Sequence, residues 1–319
     1  MPSHHTIMSD AGALSEAFRD VVEIGHGREG QRYSASMLDG TPVTVLAIAP
    51  EVGSRIVSPL RFEAEFQRAA SVHHSALVPP VAWGALSDGT WHCAYGRLEA
   101  QEPTPGSLSP GMVAGIGVQI ARGLVASHAA GVVHGAICST RIVVAPHRGA
   151  LLADLGLFSA LSEGGLGPQE TAALLTAPVY TGPENQTPGR VPDARSDIYS
   201  LGASLYELLT GKPPYGGRMT SYVLASVLSE EVEGQPTTEP LTGSEVKSPP
   251  NLVIDALVRA IERDPDDRWP TADALASALA ASVSTGEMAA IASPKRRLGC
   301  LPAVAAALVV AGAVRSLLV

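Results

Sequence analysis

The spacing of hydrophobic residues changes near residue 100, and this change limits the folds open to the chain. Between residues 18 and 99, short apolar alternations are broken by Gly and Pro turns, which predicts an antiparallel sheet. Within it, Pro59–Val72 carries apolar residues at helical spacing. After the Pro- and Gly-rich stretch Glu102–Gly111, helical spacing predicts Met112–Ala129, Ser196–Thr210, Ser221–Ser229, Asn251–Glu262 and Thr271–Ser282. We therefore expect an α+β protein with a small sheet lobe and a larger helical lobe.

Charge and cysteine content exclude several classes of function. The net charge of −9 disfavours nucleic acid as a partner, so we expect no nucleic-acid binding. Cys93, Cys138 and Cys300 lie far apart in the sequence, which fits neither a disulfide framework nor a zinc site. A reducing compartment is the simpler interpretation, and the first residues show no signal-peptide pattern.

The C-terminal segment has the character of a membrane span. Residues 298–314 carry no charge, and at ~1.5 Å per residue they would extend about 26 Å. Lys295, Arg296 and Arg297 precede them, which by the positive-inside rule predicts a cytoplasmic location for everything before. We expect a linker over residues 284–297 and a single transmembrane helix over 298–318. A buried terminal helix is the alternative, since Gly299 and Pro302 weaken the run.

Three glycines follow the strand-like segment Val21–Ile24. Gly25, Gly27 and Gly30 have a spacing that lets a backbone approach phosphate groups closely. The next segment, Gln31–Leu38, is strand-like, which excludes the dinucleotide-binding fold because that fold requires a helix here. A phosphate-covering hairpin and a plain tight turn both remain open.

Five further motifs complete an ordered series. Their segments are Gly131–Val143, Leu151–Gly156 and Tyr180–Glu184, followed by the large-lobe pair Ser196–Gly202 and Asp264–Arg268. Together with the glycines, the series resembles the bacterial serine/threonine protein kinases over residues 18–283. The resemblance implies a two-lobed kinase fold with a tail at 1–17, a small lobe at 18–99 and a large lobe at 100–283.

The resemblance also assigns structural roles. Glu184 would pair with Arg268 and tie the activation segment to the large lobe. Asp197 would orient the catalytic loop through backbone N–H groups, with His134 packed beneath it. Glu65 stands at the position of the glutamate that pairs with the phosphate-positioning lysine.

The positions of the kinase chemistry are substituted. Leu46 stands where the family has that lysine, and Ala136 where it has the aspartate that accepts the substrate's proton. Cys138 and Arg141 replace the catalytic-loop lysine and the second magnesium-binding asparagine. Asp154 remains as a candidate magnesium ligand, or as a partner of Arg141. We therefore expect no catalytic residue at the usual positions, and doubtful binding of ATP and magnesium through Gly25, Gly27, Gly30 and Asp154.

Two further positions depart from the family, one in the segment that would receive a peptide and one over the adenine. Ala177 replaces its usual threonine, and Arg32 replaces the small apolar residue that covers the adenine. Thr171 and Thr176 lie in the activation segment and are candidates for phosphorylation by another kinase.

Three functions are consistent with this pattern. The first is a catalytically impaired, membrane-anchored scaffold or regulator that binds protein partners, by family analogy active kinases or phosphothreonine-binding modules. The second is an unorthodox active kinase, in which Arg28 or Arg32 replaces the missing lysine. The third is a sensor that binds ATP without reacting. Loss of a general base alone typically costs ~10²–10⁴ in rate, which favours the first.

Overall fold

The small lobe is a five-stranded antiparallel sheet in the order β1-β2-β3-β5-β4. The computed structural model describes residues 11–187, 189–214 and 252–282. A short helix, α1 (Ala11–Leu14), precedes the sheet. The strands are β1 (Arg19–Gly27), β2 (Gly30–Ser36), β3 (Pro42–Ile48), β4 (Pro80–Ala85) and β5 (Trp91–Gly96). The predicted antiparallel sheet is confirmed.

Helix α3 (Pro59–Ala70) packs between the sheet and the large lobe, after a single turn of helix, α2 (Pro50–Gly53). Pro59 stands in the first turn, where its missing N–H costs nothing. Phe62, Phe66 and Ala69 recur at helical spacing and are buried. The helix ends two residues before the predicted Val72, which is itself buried in the core.

The large lobe is mainly helical, as predicted. It contains α4 (Pro110–Ala129), the two-stranded sheet β6 (Ile142–Ala145) and β7 (Gly149–Leu152), α5 (Leu157–Leu161), α6 (Pro168–Leu175), α7 (Ala194–Thr210), α8 (Leu252–Ala260) and α9 (Ala272–Ala281). Helices α4 and α7 each begin one turn or less before the predicted boundary. Helices α5 and α6 were not predicted, because each is too short for apolar residues to repeat.

Two expectations lie outside the described residues. These are the predicted helix Ser221–Ser229 and the predicted transmembrane helix at 298–318, with its linker. Among the helices that the structure describes, none is long and apolar enough to span a bilayer.

An apolar cluster joins the two lobes. It includes Leu46 of β3 and Phe66 of α3 from the small lobe, and Ala136, Val143 and Leu151 from the large lobe. A kinase-like fold would place a nucleotide between these lobes, so the cluster forms the floor of the candidate site.

A buried ion pair ties the activation segment to the end of the large lobe. Arg268 donates from Nη1 to Oε1 of Glu184 at 2.8 Å and from Nη2 to Oε2 at 2.7 Å. The guanidinium also lies over the ring of Tyr199, 4.8 Å from its centroid. The side chains are 0% and 18% exposed, so solvent screens the pair little.

Glu184→Gln is expected to lower the free energy of unfolding by about 3–5 kcal/mol, because it leaves the Arg268 charge buried without its counter-ion. The measurement is urea-induced unfolding of the purified chain. The control is Glu170→Gln. In this surface pair the side chains of Arg55 and Glu170 are 46% and 48% exposed. We therefore expect the control to change the free energy of unfolding by less than about 1 kcal/mol. Equal decreases in the free energy of unfolding in the two variants would show that the buried pair stabilises the fold no more than the surface pair does.

Candidate functional site

The three glycines form a tight hairpin, which we call the glycine hairpin (residues 25–30). Gly27 and Gly30 face each other across the β1–β2 turn. Gly30 has φ +148°, and a Cβ there would lie 1.9 Å from the carbonyl oxygen of Ala47. A Cβ on Gly27 would lie 2.5 Å from Oε2 of Glu29. Gly27 thus lets the carboxylate at the hairpin's own tip fold back against it.

Arg32 brings a positive charge from β2 into the space between the lobes. It lies directly opposite Leu46 of β3 in the sheet register. Its guanidinium donates to Asp154 twice, from Nη1 to Oδ1 at 3.1 Å and from Nη2 to Oδ2 at 2.8 Å. Nη2 also donates to Oε1 of Glu29 at 3.2 Å. The residue expected beside the adenine therefore contacts the candidate magnesium ligand.

Arg141 reaches the same carboxylate from the catalytic loop. Its Nε donates to Oδ2 of Asp154 at 3.0 Å. Its Nη1 lies 2.6 Å from the carbonyl oxygen of Leu175, 3.3 Å from that of Ala136, and 3.2 Å from Sγ of Cys138. The Arg141–Asp154 contact is the alternative that the sequence left open, and it places a fixed guanidinium at the second metal-ligand position.

These four side chains, Glu29, Arg32, Arg141 and Asp154, form a buried charged cluster. Two guanidinium groups face two carboxylates, so in their ordinary ionisation states the cluster needs no further counter-ion. Burial would raise the pKa of Asp154, but the charges of Arg32 and then Arg141 outweigh it and hold that pKa well below its usual value. Burial likewise works against the charge on Arg32, yet the Asp154 carboxylate raises the pKa of Arg32 above its ordinary value.

The other kinase positions are apolar or paired elsewhere. Leu46 and Ala136 are both buried in the apolar cluster between the lobes. Glu65 forms an ion pair with Arg68, one turn later on α3, at 3.2 Å. The ion pair that a lysine at position 46 would make with Glu65 is thus replaced by a contact within one helix.

The residues present do not fit a magnesium–nucleotide site. Magnesium requires oxygen ligands, whereas arginine has only donor N–H groups and so cannot ligate a cation. Both oxygens of Asp154 already accept hydrogen bonds from guanidinium groups. Within the described part of the chain, no three His, Cys, Asp or Glu side chains are grouped to hold a metal ion.

The catalytic loop nevertheless keeps its structural support. Asp197 accepts from the backbone N–H groups of His134 and Gly135, both at 2.8 Å, and its Oδ2 lies 2.8 Å from Nε2 of His128. His134 is buried, and its Nε2 donates to the carbonyl oxygen of Ala153 at 2.8 Å. Burial lowers the pKa of His134, which favours the neutral ring. The structure thus brings together the residues expected to shape the loop.

The activation segment is folded against both lobes. Thr171 on α6 is fully buried and donates to the carbonyl oxygen of Gly167 at 2.7 Å, so a kinase cannot reach it in this conformation. Thr176 follows α6, and its Oγ1 is buried without a hydrogen-bond partner in the described structure. Beside it, Ala177 is exposed.

Sequence reasoning missed one member of the charged cluster and one of its contacts. Glu29 was not predicted because it lies in the β1–β2 turn, where charged residues are common and carry no specific signal. Arg32 was named as a replacement cation, but its contact with Asp154 joins residues 122 positions apart. The pairing of β2 with β3 could have indicated it, because Arg32 lies directly opposite Leu46, the position of the missing lysine.

Asp154→Asn is expected to lower the thermal midpoint at neutral pH, because it removes the carboxylate shared by two buried guanidinium groups. Since the folded pKa of Asp154 is lowered, the unfolded chain takes up the proton first as the pH falls below ~3.9. The wild type therefore loses this stabilisation in acid, and its midpoint approaches that of the variant.

The measurement is the difference in thermal midpoint between the two chains across a pH series. Asp88→Asn, at an exposed turn where the carboxylate accepts from the N–H of Thr90, is the matched control and is expected to change the midpoint little. A difference that grows as the pH falls would contradict the assignment.

Comparison with known proteins agrees with the fold. Residues 18–279 match the protein kinase domain family. A probable serine/threonine-protein kinase of Corynebacterium efficiens is 30% identical over 276 residues, which cover 83% of this chain and 41% of that protein. PknB of Mycolicibacterium smegmatis is 30% identical over 67% of this chain and 34% of its own length. The chain thus aligns with less than half the length of these curated relatives.

A solved structure is similar over most of the chain. The crystal structure of the Mycobacterium tuberculosis PknI kinase domain matches with a TM-score of 0.60 and 21% identity, covering 83% of this chain and 96% of that one. This likeness shows the two-lobed fold. The family match over residues 18–279 and the relatives above establish that the chain belongs to the bacterial serine/threonine protein kinase family.

Proposed function

We propose that this chain is a pseudokinase: a kinase-fold protein that transfers no phosphate and acts by binding other proteins. The observation that carries the proposal is the state of Asp154. Both of its oxygens accept from the guanidinium groups of Arg32 and Arg141, so the candidate magnesium ligand is already used inside the protein.

The chemistry of phosphoryl transfer supports this proposal. The reaction depends on positioning and on neutralising charge at the phosphates. Leu46 stands where a lysine normally holds the phosphates, and Ala136 where an aspartate normally accepts the substrate's proton; both side chains are buried and uncharged. Removing a general base typically costs ~10²–10⁴ in rate, and losing an electrostatic group costs a comparable factor. Turnover far below the ~1–100 s⁻¹ of ordinary kinases follows.

An active but unorthodox kinase is the second candidate, and the relatives favour it. PknB of Mycolicibacterium smegmatis is named a serine/threonine-protein kinase, and the Corynebacterium efficiens relative a probable one. Arg32 also lies opposite Leu46, so its guanidinium approaches the region that a lysine at position 46 would reach. Turning away from Asp154 would let it contact phosphate and free the carboxylate.

The partners and the location belong to the same proposal. The retained pairs Glu184–Arg268 and Asp197–His134 hold a folded large-lobe surface on which a protein could dock. Active kinases and phosphothreonine-binding modules are the proposed partners, by analogy with the fold family. The charge-free residues 298–314 after three basic residues support a membrane anchor with the kinase fold on the cytoplasmic side.

Transfer of labelled phosphate from ATP, by the purified full chain in detergent with magnesium or manganese, is expected to stay at the background of Asp154→Asn. The readout is label in the chain itself and in added protein substrates. Label that disappears in both Asp154→Asn and Arg32→Met would establish the unorthodox kinase instead.

ATP binding without transfer is a third outcome that this experiment separates. The thermal midpoint of the wild-type chain is measured with and without magnesium–ATP. We expect no shift, because the charged cluster offers phosphate no surplus positive charge. A shift without label incorporation would support the ATP sensor and count against a purely scaffolding role.

Removal of residues 298–319 is expected to release the chain from membranes. Because a transmembrane helix inserts in an effectively irreversible way, the full chain should resist extraction with alkaline carbonate, whereas the truncated chain should appear in the soluble fraction. Extraction of the full chain by carbonate would argue for the buried terminal helix.

A further inference from the structure

We infer that Arg32 and Asp154 form a latch that holds the two lobes closed in the absence of any ligand. Arg32 belongs to the small lobe, through β2, and Asp154 to the large lobe, just after β7. The latch therefore crosses the cleft beneath the glycine hairpin. In this place a bound nucleotide would bridge the lobes of a kinase fold, whereas here a side chain of the protein does so.

The geometry of the contact suits a mechanical role. Two parallel N–H···O bonds of 3.1 and 2.8 Å fix the guanidinium and the carboxylate in one plane, which a single contact would not do. The side chains of Arg32 and Asp154 are each 6% exposed, so water does not compete for the bonds. The guanidinium is rigid and loses less conformational freedom per bond than a lysine would.

The surrounding charges make the closed state self-sufficient. A buried ion pair stabilises only when its remaining lone pairs and protons are also satisfied. Glu29 supplies the second partner of Arg32, and Arg141 the second partner of Asp154. The charged cluster thus satisfies itself when the lobes are together. Opening the cleft would break both Arg32–Asp154 bonds and expose the pairs Glu29–Arg32 and Arg141–Asp154 to water, one in each lobe.

Other contacts between the lobes lie elsewhere and differ in kind. Two of them are hydrogen bonds to backbone carbonyl oxygens of the large lobe. The N–H of Val78 donates to Leu152 at 3.0 Å, and the hydroxyl of Tyr95 donates to Leu155 at 3.3 Å. At the outer side, Arg55 pairs with Glu170 of α6, but both are about half exposed. Among the described residues, the Arg32–Asp154 pair is the buried ionic contact that joins the lobes.

A closed cleft has a consequence for recognition. The relative position of the lobes does not depend on nucleotide, so a surface composed of both lobes is presented continuously. This consequence rests on the proposed protein-binding function, whereas the latch itself does not.

The test is hydrogen–deuterium exchange of the full chain in detergent, comparing the wild type with Arg32→Met. We expect the amides of the glycine hairpin to exchange at least about tenfold faster in the variant, while those of α7 keep their wild-type rates; tenfold corresponds to about 1.4 kcal/mol. Arg97→Met is the matched control, because Arg97 is an exposed arginine of the same lobe whose side chain donates to Oγ of Ser34. It is expected to change neither region.

Arg32→Lys separates a latch from general stabilisation. It keeps the charge but loses the paired bonds, so we expect an intermediate acceleration confined to the hairpin. Unchanged hairpin exchange in Arg32→Met would overturn the latch. Equal acceleration of the hairpin and α7 in both variants would also overturn it, because the pair would then stabilise the fold as a whole.

Addition of magnesium–ATP to the wild type completes the test. The latch predicts unchanged exchange in the hairpin, since the cleft is already closed. Slower exchange in the hairpin would mean that the nucleotide closes the cleft further, and would refute the proposal that the Arg32–Asp154 contact already holds it closed. Failure of the proposed function has a different signature, namely transfer of labelled phosphate.

Discussion

The carboxylate of Asp154 is the point on which the rest of the site depends. It follows β7 in a left-handed backbone conformation, φ +63°, which aspartate tolerates better than most residues. Its carboxylate accepts hydrogen bonds from Arg32 on β2, beside the glycine hairpin, and from Arg141 of the catalytic loop. Because an unpaired carboxylate at this depth would be costly, the two arginines and Asp154 can only be understood as one unit.

This chain keeps the charged contacts that hold its backbone in place but has replaced the charged groups of the kinase chemistry. Glu184–Arg268 and the Asp197 contacts with the catalytic loop hold backbone segments in place, and both are present with short bonds. The charged groups that would act on phosphate and substrate, a lysine at position 46 and a proton-accepting aspartate at position 136, are replaced by Leu46 and Ala136. A fold can lose the second kind without losing the first, because the organising contacts lie within the large lobe and away from the cleft.

The sequence predicted the lobes and the organising residues, but not the contents of the cleft. Apolar alternation and helical spacing are local patterns, so they located β2, α3 and α4 with small errors at the ends. The pairing of Arg141 with Asp154 could be suggested, since the family resemblance aligns both. Glu29 could not be found, because its role follows from the folding of a turn back onto Gly27. Helices α5 and α6 were missed for a similar reason: tertiary contacts, of α5 with α3 and of α6 with α5, stabilise them rather than a repeat in the sequence.

The orientation of one side chain distinguishes the two candidate functions. With Arg32 on Asp154, the charged cluster is neutral, and both of its arginines are already paired with the carboxylates of Glu29 and Asp154. With Arg32 turned toward a phosphate, Asp154 would be free of one guanidinium yet still held by Arg141, and position 136 would still lack a base. Rotation of Arg32 could therefore restore part of a nucleotide site, but it could not supply the proton acceptor. This asymmetry is why nucleotide binding and phosphoryl transfer must be measured separately in this protein.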